Sequence, residues 1–330
     1  MFFSANNAFA QNTATNYDVT VSPVFFDLTS NPGGTITDKV RIRNNTTSAL
    51  PIIVGVKKLT GDENGDLTLK DTSSDNSLSW INFPQSKIVV APLEWQDVNF
   101  TITIPKDAAY GYYFAITFSQ ENSNKVNGAG TLITGSAAVP ILLNVKKEGA
   151  KAEANIVDFS TTSFVNEYLP VNFNVKIQNV GNIHVLPHGN IFISDGGNKD
   201  VAVLDVNANG GNIIPGTNRN FNTSWDDGFL VKEPVIVDGL EKIDKNGKPE
   251  ENLVINWDKI TSFRIGKYTA NLILVFDNGT RDVSLEKTIS FWVFPYKAVL
   301  GFLIGVIILV LILRFILKSY INRELKKRSR

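Results

Sequence analysis

The chain's two histidines stand close together in the sequence HVLPH, as His184 and His188. Their spacing resembles the H-E-x-x-H motif, in which two histidines on one face of a helix hold a zinc ion. The glutamate of that motif is missing here, and Pro187 cannot occupy a helix interior. On a strand, residues four apart lie about 13 Å from each other, which is too far to share one metal ion. The sequence therefore predicts no metal site at this pair and a structural role for both histidines.

A second candidate for metal chemistry is the sequence DENGDL, which places Asp62, Asn64 and Asp66 at the alternating spacing of a calcium loop. An EF-hand loop also needs glycine at its sixth position and glutamate at its twelfth. Those positions are occupied by Leu67 and Ser73. The central Asn-Gly pair is typical of a hairpin turn, because both residues tolerate positive φ. The sequence therefore predicts a turn here and no metal.

Residue types that carry catalysis form no recognisable arrangement in this sequence. Cysteine is absent, which excludes thiol catalysis, cysteine-ligated metals and disulfide bonds. No G-x-S-x-G motif, glycine-rich phosphate loop or pair of glycosidase carboxylates stands out. The sequence therefore predicts no catalytic residues, no cofactor and no enzyme. A wall-modifying enzyme is a minor alternative, and its carboxylates would have to meet through folding.

Aromatic side chains offer the best candidates for ligand binding. Trp80, Trp95, Tyr110 and Tyr113 all lie in the first half of the chain. Sugars expose apolar C–H faces, so carbohydrate-binding surfaces often use flat aromatic rings. Tyr113 has the opposite strand parity to the apolar set that begins at Tyr112, and we expect it to point out of the sheet. The alternative is that the two tryptophans pack in a core or under a loop.

The elements that must position these residues are short strands separated by turns. In residues 39–43, Val40 and Ile42 alternate with charged residues, which is the period of a half-buried strand. Residues 171–177 alternate in the same way. Strands at this spacing, without an amphipathic helix between them, indicate β-sandwiches.

Two series of such strands occupy residues 17–147 and 155–294, and a short polar segment at 148–154 separates them. We therefore predict an all-β chain with two tandem immunoglobulin-like β-sandwich domains, joined by a linker at 148–154 and followed by a single C-terminal transmembrane α-helix. The sequence KIDKNGKPEEN at 242–252 predicts a polar inserted loop in the second domain.

The transmembrane helix is predicted from an apolar run near the C-terminus. Residues 298–313 include no polar side chain, and the run continues past Arg314 to Leu317. About 20 residues at ~1.5 Å each span the hydrocarbon core of a bilayer. A buried core helix would not be apolar on every side for five turns, and a sorting signal would carry an LPxTG-like motif. We therefore predict that residues 296–317 cross a membrane.

Anchor residues flank this predicted span. Trp292 and Tyr296 fit the aromatic belt at one membrane interface, and the long side chains of Arg314 and Lys318 can reach the other. The basic tail at 318–330 is predicted to be cytoplasmic by the positive-inside rule. The chain is therefore predicted to be a single-pass cell-membrane protein whose N-terminal part is extracellular.

The first residues resemble the end of a secretory signal. Ala8, Phe9 and Ala10 form an A-x-A cleavage pattern, but no long apolar region precedes it. We expect residues 1–10 to be the remainder of a signal peptide that begins upstream of Met1.

Charge is distributed unevenly along the chain. The formal net charge is zero, yet the part from Lys297 onward carries eight basic residues and one acid, Glu324. The preceding part therefore has a net charge of about −7. A nucleic-acid partner would require a basic stripe there, and none is found.

The first strand series resembles the N-terminal domain of the WxL-interacting protein family of Gram-positive cell surfaces. The residues that carry this resemblance are VSPVFFDL at 21–28, Pro32-Gly33, Arg43-Asn44-Asn45, Pro105, Gly111, Tyr113 and Ala115-Ile116. The second series is similar to that family in Asn179-x-Gly181-Asn182-x-His184-x-x-Pro187, Pro215-Gly216-Thr217, Gly266-x-Tyr268 and Phe291-Trp292-x-x-Pro295. The resemblance implies a first domain that binds peptidoglycan and a second that engages a surface partner. This chain differs from the family by an insertion at 226–262.

Together these features predict a membrane-anchored, non-enzymatic cell-surface protein. It would bind peptidoglycan, or another cell-wall glycan, through the first sandwich and a surface protein through the second. The alternative is an adhesion or scaffold stalk that binds or presents a partner protein without wall binding, for example by strand addition at a sheet edge.

Overall fold

The computed structural model describes residues 17–61, 67–70, 76–121 and 136–328, with side chains as far as residue 318. The predicted signal remnant at 1–10 and the Asp62, Asn64 and Asp66 turn lie outside the described residues. The chain divides into two compact units. Unit 1 contains the described residues up to Ala154 with Asn179–Val185 and Asn212–Arg219, and unit 2 contains Asn155–Gln178, Leu186–Gly211 and the residues from Asn220 onward.

Unit 1 is a sandwich of two sheets. Its strands are β1 (Val19–Ser22), β2 (Phe26–Ser30), β3 (Thr35–Asn44), β4 (Leu50–Gly61), β5 (Leu67–Lys70), β6 (Ile81–Asn82), β7 (Lys87–Val90), β8 (Trp95–Thr103), β9 (Tyr110–Gln120) and β10 (Ser136–Val145). One sheet has the order β1-β3-β8-β6, and the other has the order β2-β10-β9-β4-β5 with β7 also paired to β4. Strand β2 runs parallel to β10. A short 3₁₀-helix, Asn76–Trp80, precedes β6.

The core of unit 1 follows from the period-two alternation of these strands. Val40 and Ile42 of β3 and Phe100 of β8 are fully buried, as are Phe114 and Ile116 of β9 in the facing sheet. Successive side chains on a strand point to opposite faces. The residues between the buried ones in β3 and β8 therefore form the outer face of the four-stranded sheet.

Buried asparagines close two of the strand ends. Asn44 ends β3, and its amide nitrogen donates to the Ser48 and Val90 carbonyls at 2.7 and 3.1 Å. Asn179 follows the same pattern at the end of β13 (Val171–Asn179), where it donates to two carbonyls and accepts from the Gly181 N–H. Both residues have no exposed surface. Each side chain therefore ties neighbouring backbone carbonyls to the end of its strand.

Unit 2 contains two further sheets and two small hairpins. Its other strands are β11 (Ala154–Thr161), β12 (Val165–Asn166), β14 (His188–Ser194), β15 (Asp200–Val206), β16 (Asn218–Trp225), β17 (Leu230–Pro234), β18 (Ile236–Val237), β19 (Leu240–Glu241), β20 (Glu251–Ile255), β21 (Gly266–Asp277) and β22 (Asp282–Val293). The sheet orders are β11-β13-β16 and β12-β22-β21-β14-β15, and the hairpins are β17-β20 and β18-β19. A 3₁₀-helix, Trp257–Lys259, follows β20.

Aromatic side chains fill the core of unit 2. Trp225 lies edge-on to Tyr268 with 5.0 Å between ring centres, and Phe173 lies edge-on to Phe291 at 5.5 Å. Edge-to-face packing suits the opposite partial charges of ring edge and ring face. Residues 148–154, predicted as a linker, belong to unit 1, where Ala152 is buried.

A single long helix, α1 (Tyr296–Arg328), follows β22. Its part from Tyr296 to Lys318 is apolar, long enough to cross a membrane and wholly unburied. This is one candidate membrane-spanning helix. The prediction of an all-β chain with immunoglobulin-like sandwiches and one C-terminal apolar helix is confirmed.

Candidate ligand-binding face

The outer face of the four-stranded sheet in unit 1 gathers an aromatic ring and three cations. The antiparallel register of β3 and β8 pairs Arg43 with Trp95, Arg41 with Asp97 and Lys39 with Asn99. The side chains of Val40, Ile42 and Val98 between them point inward and are buried. Since side chains alternate along each strand, the three cations and Trp95 lie together on the solvent side. We call this the Trp95 face.

Trp95 is the exposed aromatic residue of this face and lies at one end of the three cross-strand pairs. Its side chain is 39% exposed, and the Arg41 guanidinium lies 5.0 Å from the ring centre. Arg43 donates from Nε to the Leu93 carbonyl at 3.4 Å. Leu93 itself is exposed and has a positive φ of 61°. An arginine over a tryptophan ring orients both groups while leaving guanidinium donors free.

Asp97 partly neutralises the cations of the Trp95 face. It accepts from Lys39 Nζ at 2.7 Å and from Arg41 Nε at 3.2 Å. The Lys39 hydrogen bond, together with the two positive charges, holds the pKa of the Asp97 carboxyl below its usual range. The group is therefore ionised at neutral pH. Among the side chains of the three cross-strand pairs, three cations meet this one carboxylate.

Polar side chains extend the Trp95 face on both sides. The hydroxyls of Thr37 and Thr101 lie 3.3 Å apart across β3 and β8. At the other end, Asn45 donates to Thr20 Oγ1 and to the Asp18 carboxylate, each at 3.0 Å. The Trp95 ring can stack against a flat apolar surface, and the arginine and lysine side chains can bind carboxylates and donate hydrogen bonds. The Trp95 face contains no proton donor matched to a base, because Asp97 is ionised and already paired.

The four aromatic residues predicted to bind ligand do not form one site. Among the described residues, no ring contact joins Trp80, Trp95, Tyr110 or Tyr113 to another of the four. Trp80 packs at 4.4 Å on Tyr112 against the core of unit 1, as the packing alternative had it. Tyr110 is half-buried with a positive φ of 72°, and its hydroxyl lies 3.5 Å from the Glu148 carbonyl.

Tyr113 points out of the sheet as expected, but it is buried and therefore not an exposed ligand-binding residue. Its parity does separate it from the core-facing set of β9, but the side chain is only 7% exposed. It packs with Leu59, Leu142 and Ile214 in a second small apolar cluster of unit 1. Burial raises the pKa of its hydroxyl, which has no hydrogen-bond partner in the described structure. Alternation assigns a side chain to a face, and it does not say whether distant residues cover that face.

His184 belongs to the cover over Tyr113. Its buried ring lies edge-on to the Tyr113 ring at 5.9 Å, and Nε2 lies 3.1 Å from Asp27 Oδ1. His188 is exposed at the start of β14. Within the described ranges, no three histidine, aspartate or glutamate side chains come close enough together to hold a metal ion.

The predicted anchor residues lie at the ends of the apolar helix. Trp292 and Tyr296 are exposed at its start, and Arg314 and Lys318 are exposed about one turn apart near its end.

Sequence reasoning missed Lys39, Arg41, Arg43 and Asp97 as site residues. The signal was present in KVRIR at 39–43, where three cations alternate with two apolar residues. A strand with that pattern must place all its cations on one face once its apolar residues are buried. The pairing partner, β8, could not be identified without the register.

Comparison with known proteins finds similar solved structures but no family. No family model matches the chain, and no curated protein matches it. The class 5 fimbriae chaperone CfaA is 13% identical with a TM-score of 0.37, over 82% of this chain and 99% of that one. The CupB2 chaperone of Pseudomonas aeruginosa is 8% identical with a TM-score of 0.35, over 83% and 100%. The CsuC–CsuE chaperone–tip adhesion subunit pre-assembly complex of Acinetobacter baumannii is 11% identical with a TM-score of 0.34, over 62% and 89%.

Proposed function

We propose that this chain is a membrane-anchored, non-enzymatic surface protein that binds peptidoglycan through the Trp95 face. The observation that carries the proposal is the juxtaposition of the exposed Trp95 ring with Arg41, Arg43 and Lys39 on one open sheet face. Peptidoglycan combines sugar rings, which present apolar C–H faces, with stem peptides that carry carboxylates. The ring suits the sugars, and the guanidinium groups suit the carboxylates because they can bind both oxygens at once.

The proposed anchor is helix α1, with unit 1 and unit 2 outside the cell. The basic residues after the apolar part favour a cytoplasmic C-terminus, because positively charged flanks stay on the cytoplasmic side. The Trp292 and Tyr296 rings would then lie at the outer interface. This orientation places the Trp95 face on the same side of the membrane as the wall.

Membership of the WxL-interacting protein family remains part of the proposal. It is supported by the sequence motifs of the first strand series, several of which have identifiable structural tasks. Asn44 and Asn179, for example, are the buried asparagines that tie loop carbonyls to strand ends. Such residues support a shared fold more than a shared ligand.

Co-sedimentation with purified, insoluble peptidoglycan tests the Trp95 face. The full chain is reconstituted into lipid nanodiscs, which stay in the supernatant on their own, and mixed with increasing amounts of peptidoglycan. We expect wild type to pellet at micromolar concentration and soluble wall fragments to compete. Trp95→Ala and Arg41→Ala should each weaken binding about tenfold, because tryptophan and arginine are enriched among the residues that dominate binding energy.

Matched controls separate the Trp95 face from a general loss of aromatic or positive side chains. Phe25→Ala removes an exposed aromatic residue of unit 1 that immediately precedes β2 of the other sheet, and Lys106→Ala removes an exposed lysine beyond the end of β8. Both variants should bind as wild type does. Absence of wild-type sedimentation would exclude wall binding, and equal loss in Trp95→Ala and Phe25→Ala would exclude the Trp95 face as its site.

A protein partner is the second candidate, and edge strand β5 is the observation that favours it. Its residues are all exposed, including Leu67 and Leu69, and in the described structure it pairs with β4 alone. An unpaired edge with exposed apolar side chains can accept a strand from another protein. A photo-crosslinker at Leu69 on living cells should then capture one protein reproducibly, and a Leu67→Lys variant should lose that capture.

A further inference from the structure

Exposed apolar side chains surround the end of unit 2 from which α1 begins. We call this set the apolar collar. It consists of Phe164, Trp257, Ile260, Phe263, Ile265 and Phe294. Trp257 and Phe164 are the most exposed, at 69% and 65%. Exposed apolar side chains that gather in one patch mark an interaction or membrane-contact site.

The sheet register places the collar at the start of the helix. Gly266, the first residue of β21, pairs with Val293, the last residue of β22. Phe263 precedes Gly266 by three residues and Tyr296 follows Val293 by three, and three residues span at most about 11 Å. On the other side of β22, the pairing of Val165 with Trp292 brings Phe164 to the same end.

Residues 257–263, which include three of the collar residues, are held in place by several contacts. The Phe229 ring lies 5.6 Å from Trp257 and 5.8 Å from Phe263, so the two collar rings share one aromatic support. Asp227 binds Lys259 at 2.9 Å, which fixes the chain between those rings. The Trp257 and Phe263 side chains are therefore exposed in positions that these contacts fix.

Ion pairs connect this region of unit 2 to the first turn of the helix. Glu167 lies 2.9 Å from Lys297 Nζ and 3.8 Å from Lys232 Nζ. Lys232 belongs to β17, whose neighbour Val231 bridges to Leu169. These contacts tie the inserted hairpin and the start of α1 to the same short segment after β12.

The opposite end of the same sheet has a different character. The turn between β21 and β22 is made of Asp277, Asn278, Gly279 and Thr280, which hydrogen-bond among themselves. That end of the sheet therefore carries a polar turn, whereas Phe164, Ile265 and Phe294 are exposed at the end where the apolar helix begins. We expect the collar to contact a lipid surface, because the proposed membrane-spanning helix begins at that end of the sheet and therefore brings the bilayer to it.

We propose that the apolar collar lies in the interfacial layer of the bilayer that α1 spans, so that unit 2 is seated on the membrane. This inference rests on the proposed membrane anchoring. Aromatic rings favour the interface because one part of the ring contacts lipid while polar groups stay hydrated. The end of the inserted segment 226–262, through Trp257 and Ile260, then acts as a membrane contact, and the polar part at 242–252 lies outside the collar.

Spin labels on the full chain in nanodiscs test the collar. The absence of cysteine means that one introduced cysteine is the one labelling site. Labels are placed through Trp257→Cys, Ile260→Cys and Phe263→Cys, each in nanodiscs that hold a single copy. Accessibility to oxygen, which concentrates in lipid, is compared with accessibility to a water-soluble nickel chelate.

Two reference positions make the outcomes distinct. Val203→Cys labels an exposed apolar residue in the middle of β15, and Val306→Cys labels α1. We expect at least two collar labels to show several-fold lower nickel access than the Val203 label, approaching the Val306 label. Collar labels as accessible to nickel as Val203, beside a lipid-buried Val306 label, would overturn the collar and leave the anchor intact. Nickel access at Val306 would overturn the anchor itself, and the collar with it.

Discussion

Replacing Asn44 by aspartate is expected to destabilise unit 1 with almost no change of shape. Asn44 has no exposed surface and makes four hydrogen bonds. Its Nδ2 donates to the Ser48 and Val90 carbonyls, and its Oδ1 accepts from the Thr46 N–H at 2.9 Å and the Thr46 hydroxyl at 2.7 Å. Aspartate keeps the oxygen that accepts two hydrogen bonds and replaces the NH₂ group that donates two. The substitution therefore removes the two donated bonds and leaves the two accepted bonds in place.

The magnitude follows from what each carbonyl loses. The hydrogen bond to the Val90 carbonyl is buried, and its loss costs about 0.5–1.5 kcal/mol. The Ser48 carbonyl is nearer to solvent and loses about 0.5–1.5 kcal/mol. A buried carboxylate facing two carbonyl oxygens adds repulsion, which brings the total to about 2–5 kcal/mol at neutral pH.

The pH dependence of this loss has a definite sign. Burial and the two carbonyls raise the pKa of the introduced carboxyl in the folded state above its unfolded value of about 3.9. The folded state then binds the proton more tightly, so the destabilisation grows as pH rises from the unfolded pKa to the folded pKa. Asn44→Asp should be closer to wild type at pH 5 than at pH 7.

Amide hydrogen exchange of the full chain, followed by mass spectrometry of its peptides, measures the loss of stability separately in unit 1 and unit 2. Peptides from β8 and β9 should exchange faster by a factor of ten for each 1.4 kcal/mol lost, while peptides from β21 and β22 report on unit 2. Asn31→Asp, at an exposed asparagine of unit 1, is the matched control and should change little. Equal exchange in the two variants would refute the reasoning.

Three further predictions concern loops and charges. Asn179→Asp should lower stability by about 2–5 kcal/mol, because its amide also donates to two backbone carbonyls; unchanged exchange around residue 179 would contradict this. Gly181→Ala should cost about 1–3 kcal/mol, since an added Cβ would overlap the Lys151 carbonyl oxygen, and an unaltered thermal midpoint would argue against it. Carbon-13 NMR should show Asp97 titrating below about 3.9, and Lys39→Ala should shift that titration upward. Because the pKa of Asp97 is lower in the folded state, its pairing with Lys39 and Arg41 adds slightly to the free energy of unfolding above about pH 4. That contribution is lost as the pH falls through the folded-state pKa.

Local patterns predicted the strands and the helix because both depend on neighbouring residues. The alternation around Val40 and Ile42 specified a half-buried strand, and it is found in β3 with those residues fully buried. The apolar run after Tyr296 specified one long helix, and α1 starts there. Period and length suffice for such elements, since each buries or exposes its own side chains in sequence order.

The candidate site could be predicted only in part, because it depends on pairing between distant strands. Trp95 was identified as a candidate from residue type, but its partners Arg41 and Arg43 come from β3, more than fifty residues earlier. Trp80 was identified by the same reasoning and packs against the core, since its ring meets Tyr112 of the facing sheet. Residue type alone does not separate these two tryptophans.

Tyr113 and Trp95 show what decides whether an outward ring is free to bind. Each lies on the side of its strand away from the main core of unit 1, so alternation treats them alike. Ile214 and His184, both distant in sequence, cover Tyr113. Trp95 has instead an arginine beside it, and arginine covers an aromatic ring without removing it from water. A surface aromatic residue on an outward parity position therefore predicts binding only where its cross-strand neighbours are polar or charged, and the register of β3 and β8 supplies that condition for Trp95.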